Sequence, residues 1–340
     1  MPITYNVVAY RGVAAEPITE ELLFENQTIA KSLVTFETDV KAETIFTEST
    51  ASATLQAYTS GVPTSAGSLT AFDVVVTPTK VQFYQEFDPN SLRFSRFKRD
   101  MKAGAWEVMS SEFEQLVIGG LYAKQVSLAA EFEFWNGAKA ATKTAVAALT
   151  AGTANNQVGA AEKTLVAALT AAQTDGVLVK MIYNDSNATA TAGVGTRIKV
   201  AGTTITAANI KAEYDKIFAA IPAATLAGTE QPILYAPRSH KQFIIAANNV
   251  VSDFNKPFDI DASAQNFFFN GLRIEFVPVP ENVVVCALKS HLIWATDLAS
   301  DINLMQLDKI ANNREDMFIK HNMTLAAHVV NQKFNVLYVG

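Results

Sequence analysis

A single cysteine, Cys286, stands among the 340 residues of this chain. One thiol closes no disulfide within the chain and builds no cysteine-based zinc site. It sits in the apolar run NVVVCALK, which reads as a buried structural thiol. Histidine is scarce too: His240, His291, His321 and His328 are the full set, and no two have the spacing of an HxxxH or HExxH metal motif. No stretch of 18 uncharged apolar residues occurs, so no membrane-spanning helix is expected. The opening MPITYNVVAYRG has neither a basic start nor a long apolar stretch, so no signal peptide is expected. Charge is modest, with 27 basic and 33 acidic residues and a net charge of −6. That balance lacks the basic excess of a dedicated duplex-DNA binder, although it leaves room for a surface that faces nucleic acid.

Motifs that carry common chemistries are also missing. There is no GxSxG elbow and no Walker loop. GVGTR at Gly193–Arg197 offers a GxG, but Ile198 follows and no strand-to-helix transition surrounds it. Asp253, Asp259 and Asp261 cluster without the glycine that a calcium loop requires, and read as a solvated loop. No catalytic, metal-binding or cofactor-binding residue is assigned, no cofactor is expected, and the chain is not read as an enzyme.

What is present is a large apolar fraction, 49% with 21 phenylalanines, enough for a sizeable core. Residues 1–42 read as an extended arm with a short helix. Alternating strand-like sequence flanks the polar span Ser49–Phe72, which carries no charge and has Ser or Thr at 10 of 24 positions. The pattern predicts a projecting hairpin over 43–87. Leu55, Tyr58, Val62 and Phe72 are its apolar anchors, expected to contact another subunit. Asp88–Ser91 signals a turn, and apolar residues then recur at three- and four-residue steps from Trp106 to Trp135, predicting a long helix closed by Asn136-Gly137. Before that helix, Arg93, Arg96, Lys98, Arg99 and Lys102 alternate with Phe94 and Phe97. This basic cluster has two readings: a phosphate-contacting patch, or a partner for carboxylates such as Glu37, Asp39, Glu86 and Asp88 of a neighbouring subunit. The negative balance of the chain favours the second.

Residues 138–174 hold 14 alanines, and KTAVAALTAG at Lys143–Gly152 recurs as KTLVAALTAA at Lys163–Ala172. Two copies are too few for a solenoid, so the segment reads as a local duplication in an inserted or connecting stretch. Downstream, strands and helices intermix without regular alternation, and the fold class is α+β.

The order of these elements resembles the major capsid protein of tailed bacteriophages, with the Hong Kong 97-type fold. TIFTESTASATLQAYTSGVPTSAGSLTAFDVVV resembles that family's extended loop, the E-loop. WEVMSSEFEQLVIGGLYAKQVSLAAEFEFWNG resembles its spine helix. PILYAPRSHKQFIIAANN and FFFNGLRIEFVPVPENVVVCALKSHLIWATDL resemble its axial domain, and NREDMFIKHNMTLAAHVVNQKFNVLYVG its closing peripheral strand. The resemblance implies an N-terminal arm at 1–42, an E-loop at 43–87, a peripheral domain with the spine helix at 88–137, an Ala-rich insertion at 138–174, an axial domain at 175–309 and a C-terminal peripheral strand at 310–340. It also implies a virion protein, assembled in the host cytoplasm as hexamers and pentamers of an icosahedral head around double-stranded DNA held non-specifically. Portal, scaffold and decoration proteins are its implied partners, and no membrane is. No Lys lies between Ser49 and Phe72, which speaks against a cross-link from the loop tip of the kind some members form. An encapsulin-type nanocompartment shell and an enzyme with an unrecognised site stay open as alternatives.

Overall fold

The computed structural model describes residues 8–9, 27–40, 43–62, 64–87, 122–183, 197–250, 256–261, 266–297, 305–310 and 316–340. The elements in chain order are β1 (Val8–Ala9), α1 (Gln27–Ala30), β2 (Thr35–Glu37), β3 (Thr44–Ala53), β4 (Gly67–Val76), β5 (Thr79–Phe87), α2 (Ala123–Asn136), α3 (Ala140–Ala148), α4 (Ala160–Ala168) and α5 (Val177–Ile182). There follow β6 (Ile198–Ala201), α6 (Ile210–Ala220), α7 (Ala223–Leu226), β7 (Ile233–Pro237), α8 (His240–Asn249), β8 (Asp259–Asp261), β9 (Asn266–Phe269), β10 (Leu272–Val277) and β11 (Val283–Ala287). Last come β12 (Leu292–Ala295), β13 (Met305–Lys309), β14 (Met317–Val329) and β15 (Val336–Val339). The mixture is α+β, as the sequence pattern implies.

Two sheets carry the body. One runs β6-β15-β11-β7-β10-β9-β8; the other runs β1-β13-β14-β12-β2, with β5 added along β14. The central strands of the seven-stranded sheet are apolar at successive positions because both faces are covered. VVVCA in β11 is buried at all five residues. Leu234, Ala236, Val284, Cys286, Val336 and Tyr338 face one way, onto Ile210, Tyr214 and Ile217 of α6 and Ile244 of α8. Their neighbours Tyr235, Val285 and Leu337 face the other way, into a second core with Phe134 and Trp135 of α2, Leu178 and Met181 of α5, and Trp294 and Leu325 of the six-stranded sheet.

Three expectations are corrected. The predicted hairpin over 43–87 is a ribbon of β3 and β4 only; β5 leaves it and pairs with β14 from Phe87↔Met317 to Thr79↔Leu325. Pro78, which has no N–H to offer a ladder, separates β4 from β5. The expected C-terminal strand is two strands in different sheets. Asn331 takes left-handed angles (φ 48°, ψ 50°), a short 3-10 turn follows, and β15 enters the seven-stranded sheet beside β6 and β11. Conversely β12, inside the span expected to be axial, pairs with β14 and β2 in the six-stranded sheet. The long predicted helix is described only as α2, ending at Asn136 as expected. The residue after it, Gly137, is glycine for space: a Cβ there would stand 2.5 Å from the Glu133 carbonyl oxygen and 2.6 Å from that of Thr174.

The N-terminal segment is tied to this body through α2. Glu131, fully buried, accepts hydrogen bonds from the Thr28 N–H (2.8 Å) and the Thr28 hydroxyl (2.6 Å), and pairs with Arg238 at 3.3 Å. One turn on, the Trp135 indole N–H donates to the same hydroxyl at 3.0 Å. The Trp135 ring packs on Tyr235, whose hydroxyl donates to the Leu33 carbonyl at 2.6 Å. Lys31 pairs with the buried carboxylate of Glu275 at 3.0 Å.

All four histidines are buried. His240 shares a 3.0 Å hydrogen bond with the Tyr214 hydroxyl, and burial pushes its imidazole down to about 4. Burial pushes the Cys286 thiol up to about 12, as its apolar setting requires.

Two outcomes follow. Thr28→Val strands the Trp135 N–H and removes a donor from Glu131, so stability should fall by about 1–3 kcal/mol in urea unfolding, whereas Thr28→Ser should retain most of it. His240 is held neutral in the fold but protonates near its ordinary value when unfolded. The stability it confers is therefore intact above pH ~6.5 and lost as pH falls toward 4. Thermal melts of His240→Phe should be flatter than those of the unaltered protein across that interval.

Candidate assembly surface

The β3–β4 ribbon is the most exposed element described. Ten residue pairs run from Thr44↔Val76 to Ala53↔Gly67. The polar composition suits a ribbon whose two faces both meet water: the Thr47 hydroxyl donates to Asp73 at 2.7 Å, and the Ser52 and Ser68 hydroxyls bond at 2.7 Å. Near the tip the Gln56 side-chain amide donates to the Thr64 carbonyl at 2.7 Å, bracing the turn across its opening. Among its described side chains, those at the base are packed. Val76 and Phe46 join a small core with Val40, Ile293, Ala295 and Ala326, and Phe46 stacks on the His328 ring at 5.5 Å.

Beyond the base, apolar side chains are left in water. Leu55, Tyr58 and Val62 are 101%, 94% and 98% exposed, so they touch essentially nothing of their own chain. The structure brings these three anchors to the tip. Phe72, named with them, lies instead along β4 opposite Glu48, well down the ribbon. Sequence reading missed a second set: Ile45 and Val75, paired near the base, and Leu69 further out share one face and are 60%, 45% and 75% exposed. The period of two along both strands was the available signal, once their register is known. Arg93, Arg96, Lys98, Arg99 and Lys102 lie outside the described residues.

The duplicated segment has no such freedom. Each copy of the decapeptide places its lysine in a helix and its leucine just beyond that helix's end. The Lys143 ammonium donates to the Leu169 carbonyl at 2.6 Å, and the Lys163 ammonium donates to the Leu149 carbonyl at 2.6 Å. Each helix of the pair thus sets a cation at the carboxyl end of the other, where the helix dipole favours it. Thr144 and Thr164 repeat the match, each donating to the carbonyl four residues back. Val146, Val158 and Val166 enter the main core, so the segment is integral to the body.

Two cations of β6 and the residue before it clasp this segment. The buried Arg197 guanidinium holds the Glu162 carboxylate through Nε and Nη2, and donates to the carbonyls of Asn155 (3.3 Å) and Gln157 (3.2 Å). The Lys199 ammonium donates to the carbonyls of Gly152, Ala154 and Gln157 at 2.7, 3.0 and 3.0 Å, and burial lowers its pKa. The Asn155 side chain accepts the Lys199 N–H at 3.1 Å, covering the open edge of the seven-stranded sheet at its first strand.

Among the described residues, no three His, Cys, Asp or Glu side chains gather to hold a metal ion, and no helix is long and apolar enough to cross a membrane. No family model and no curated protein matches the sequence. Solved structures do match. The chain aligns over its whole length with 95% of a chain from the capsid of the native GTA particle, at 10% identity and a TM-score of 0.54. It has the Hong Kong 97-type capsid fold. A whole-chain match extends to 96% of a chain from Mycobacterium phage Ogopogo, at 12% identity and a TM-score of 0.50. It extends also to 95% of a chain from the capsid of Myoviridae phage XM1, at 7% identity and a TM-score of 0.50.

Arg197→Met should test the clasp. It leaves the Glu162 carboxylate buried and unpaired, which should lower stability by about 3–5 kcal/mol in chemical denaturation. The double variant Arg197→Met/Glu162→Leu, which removes both charges, should recover much of that loss.

Proposed function

We propose that this chain is the shell-forming subunit of a tailed-phage capsid, assembling through its ribbon into hexamers and pentamers of an icosahedral head that encloses double-stranded DNA. The carrying observation is the ribbon tip. Three large apolar side chains stand fully in water at the end of a strand pair that, among the described residues, has no third strand. A two-stranded ribbon alone is marginal in water, and exposed apolar surface of this kind marks a contact to another molecule. Read as an E-loop, the ribbon would lie over a neighbouring subunit, which supplies a reason for that contact. The absence of charge from Ser49 to Phe72 supports the same reading, since an uncharged surface carries no unpaired charge into an interface. The work done is assembly and containment rather than turnover.

Portal, scaffold and decoration proteins are the partners this reading calls for. The basic cluster at 93–102 is assigned to subunit contact, with the packaged DNA as its other candidate. Electron microscopy of the purified protein should reveal closed shells. Deleting Ser49–Phe72 should leave a folded subunit, with its thermal transition retained, and abolish the shells; intact shells from the deletion would sink the assignment. Shells filled with protein cargo would instead favour the nanocompartment reading.

A further inference from the structure

At the root of the ribbon, where β4 gives way to β5, lies a half-open cavity of about 30 Å³. Three parts of the chain line it: Thr77 and Thr79 beside the root, Lys139, Asp175 and Lys180 around the duplicated helices, and the end of β14 with His328. The volume is close to one water molecule's share of the liquid, about 30 Å³, so the space suits one small group. Its lining carries two ammonium charges against one carboxylate. That carboxylate is already committed: Asp175 is 4% exposed and accepts the Lys139 N–H and the Thr142 hydroxyl, each at 2.8 Å. The Thr174 hydroxyl, also in the lining, is turned to Glu133 at 3.1 Å. The side chains of Thr77, Thr79 and Lys139, by contrast, have no hydrogen-bonding or ionic partner among the described residues. Uncommitted donors and surplus positive charge thus meet at a space that a small group can fill.

We propose that this cavity binds one small free oxyanion of the phosphate class, held by Lys139 and Lys180 with the hydroxyls of Thr77 and Thr79. The chemistry selects the occupant. Ammonium and hydroxyl groups all donate, an oxyanion only accepts, and charge-assisted bonds of this kind are among the stronger ones. Water would fill the space and leave the surplus charge unmatched. A cation would meet two ammonium groups, and an apolar group would strand the donors. Double-stranded DNA offers the same phosphate chemistry, but its phosphates stand on a broad convex surface, and a recess one water wide admits a free anion instead. The bound anion has a mechanical effect. Lys139 and Lys180 belong to the segment that carries the duplicated helices, whereas Thr77 and Thr79 flank Pro78 at the turn out of the ribbon. An anion shared among them ties that turn to the body by charge, beside the apolar contacts of Val76 and Phe46. The site belongs to the single subunit and stands whether or not the subunit builds shells.

Thermal melts of the full chain at pH 7.5 test the site, with sodium phosphate titrated against sodium chloride at matched ionic strength. Phosphate should raise the melting temperature saturably, by about 2 °C at tenfold excess over half-saturation, and chloride should not. Lys139→Gln should melt with the unaltered protein in chloride, because the side chain it loses has no partner, yet need at least ten times more phosphate for half-saturation. Thr77→Val should weaken the response in the same direction, and Lys139→Arg should keep it. Equal shifts in chloride and phosphate, or a phosphate response unchanged in both Lys139→Gln and Thr77→Val, would overturn the proposal. A short DNA duplex at the same total phosphate separates the two phosphate sources. It should give no shift that depends on Lys139; a larger shift than free phosphate, lost in Lys139→Gln, would make the DNA backbone the occupant and overturn the assignment to a free anion.

Discussion

Glu131 sets the frame. A carboxylate with no exposure to water must be met by donors, and three arrive from distant parts of the chain: the Thr28 N–H, the Thr28 hydroxyl and Arg238. These groups belong to the N-terminal segment and to the turn after β7. The helix that carries the carboxylate also carries Phe134, stacked on Trp294 at 4.4 Å, and Trp135 on Tyr235. One helical turn of α2 therefore fixes the N-terminal segment and both sheets together. Leaving a buried ion short of donors is costly enough that the alternatives are strongly disfavoured. The rest of the body can be read outward from this point.

That arrangement frees the ribbon. Because its base is held by Val76 and Phe46 against β12 and β14, the outer part needs no contact with its own chain to keep its direction. Its internal hydrogen bonds are exposed and individually worth little. The ribbon is a lever whose stiffness is borrowed from the body and whose end is left for others. The buried charges of the body, Glu131, Glu162 and Arg197, are by contrast matched within the chain.

Much of the fold was legible in the sequence, for identifiable reasons. The three- and four-residue apolar steps up to Trp135 marked the end of α2, because burial of one face governs that helix. What was not legible is pairing over distance. Nothing in TKVQFYQEF says that it pairs with β14 rather than extending the ribbon, and nothing in NVLYVG says that it crosses to another sheet. Both choices are settled by partners distant in the chain, β14 for the first and β11 and β6 for the second. Leu55, Tyr58 and Val62 could be picked out because they interrupt a polar span. Arg197 and Glu162 escaped notice: 35 residues separate them, and no spacing rule joins them.

The duplicated decapeptides differ at only two of ten positions, and Gly152, where the second copy has Ala172, is a spot where a methyl would strike the Gln157 side chain. Yet the copies are no longer redundant. Each gives the other one ammonium and takes one in return, so neither can be lost, shortened or allowed to drift without unsettling its twin. A segment that in its letters still reads as a repetition is, in its contacts, a single unit.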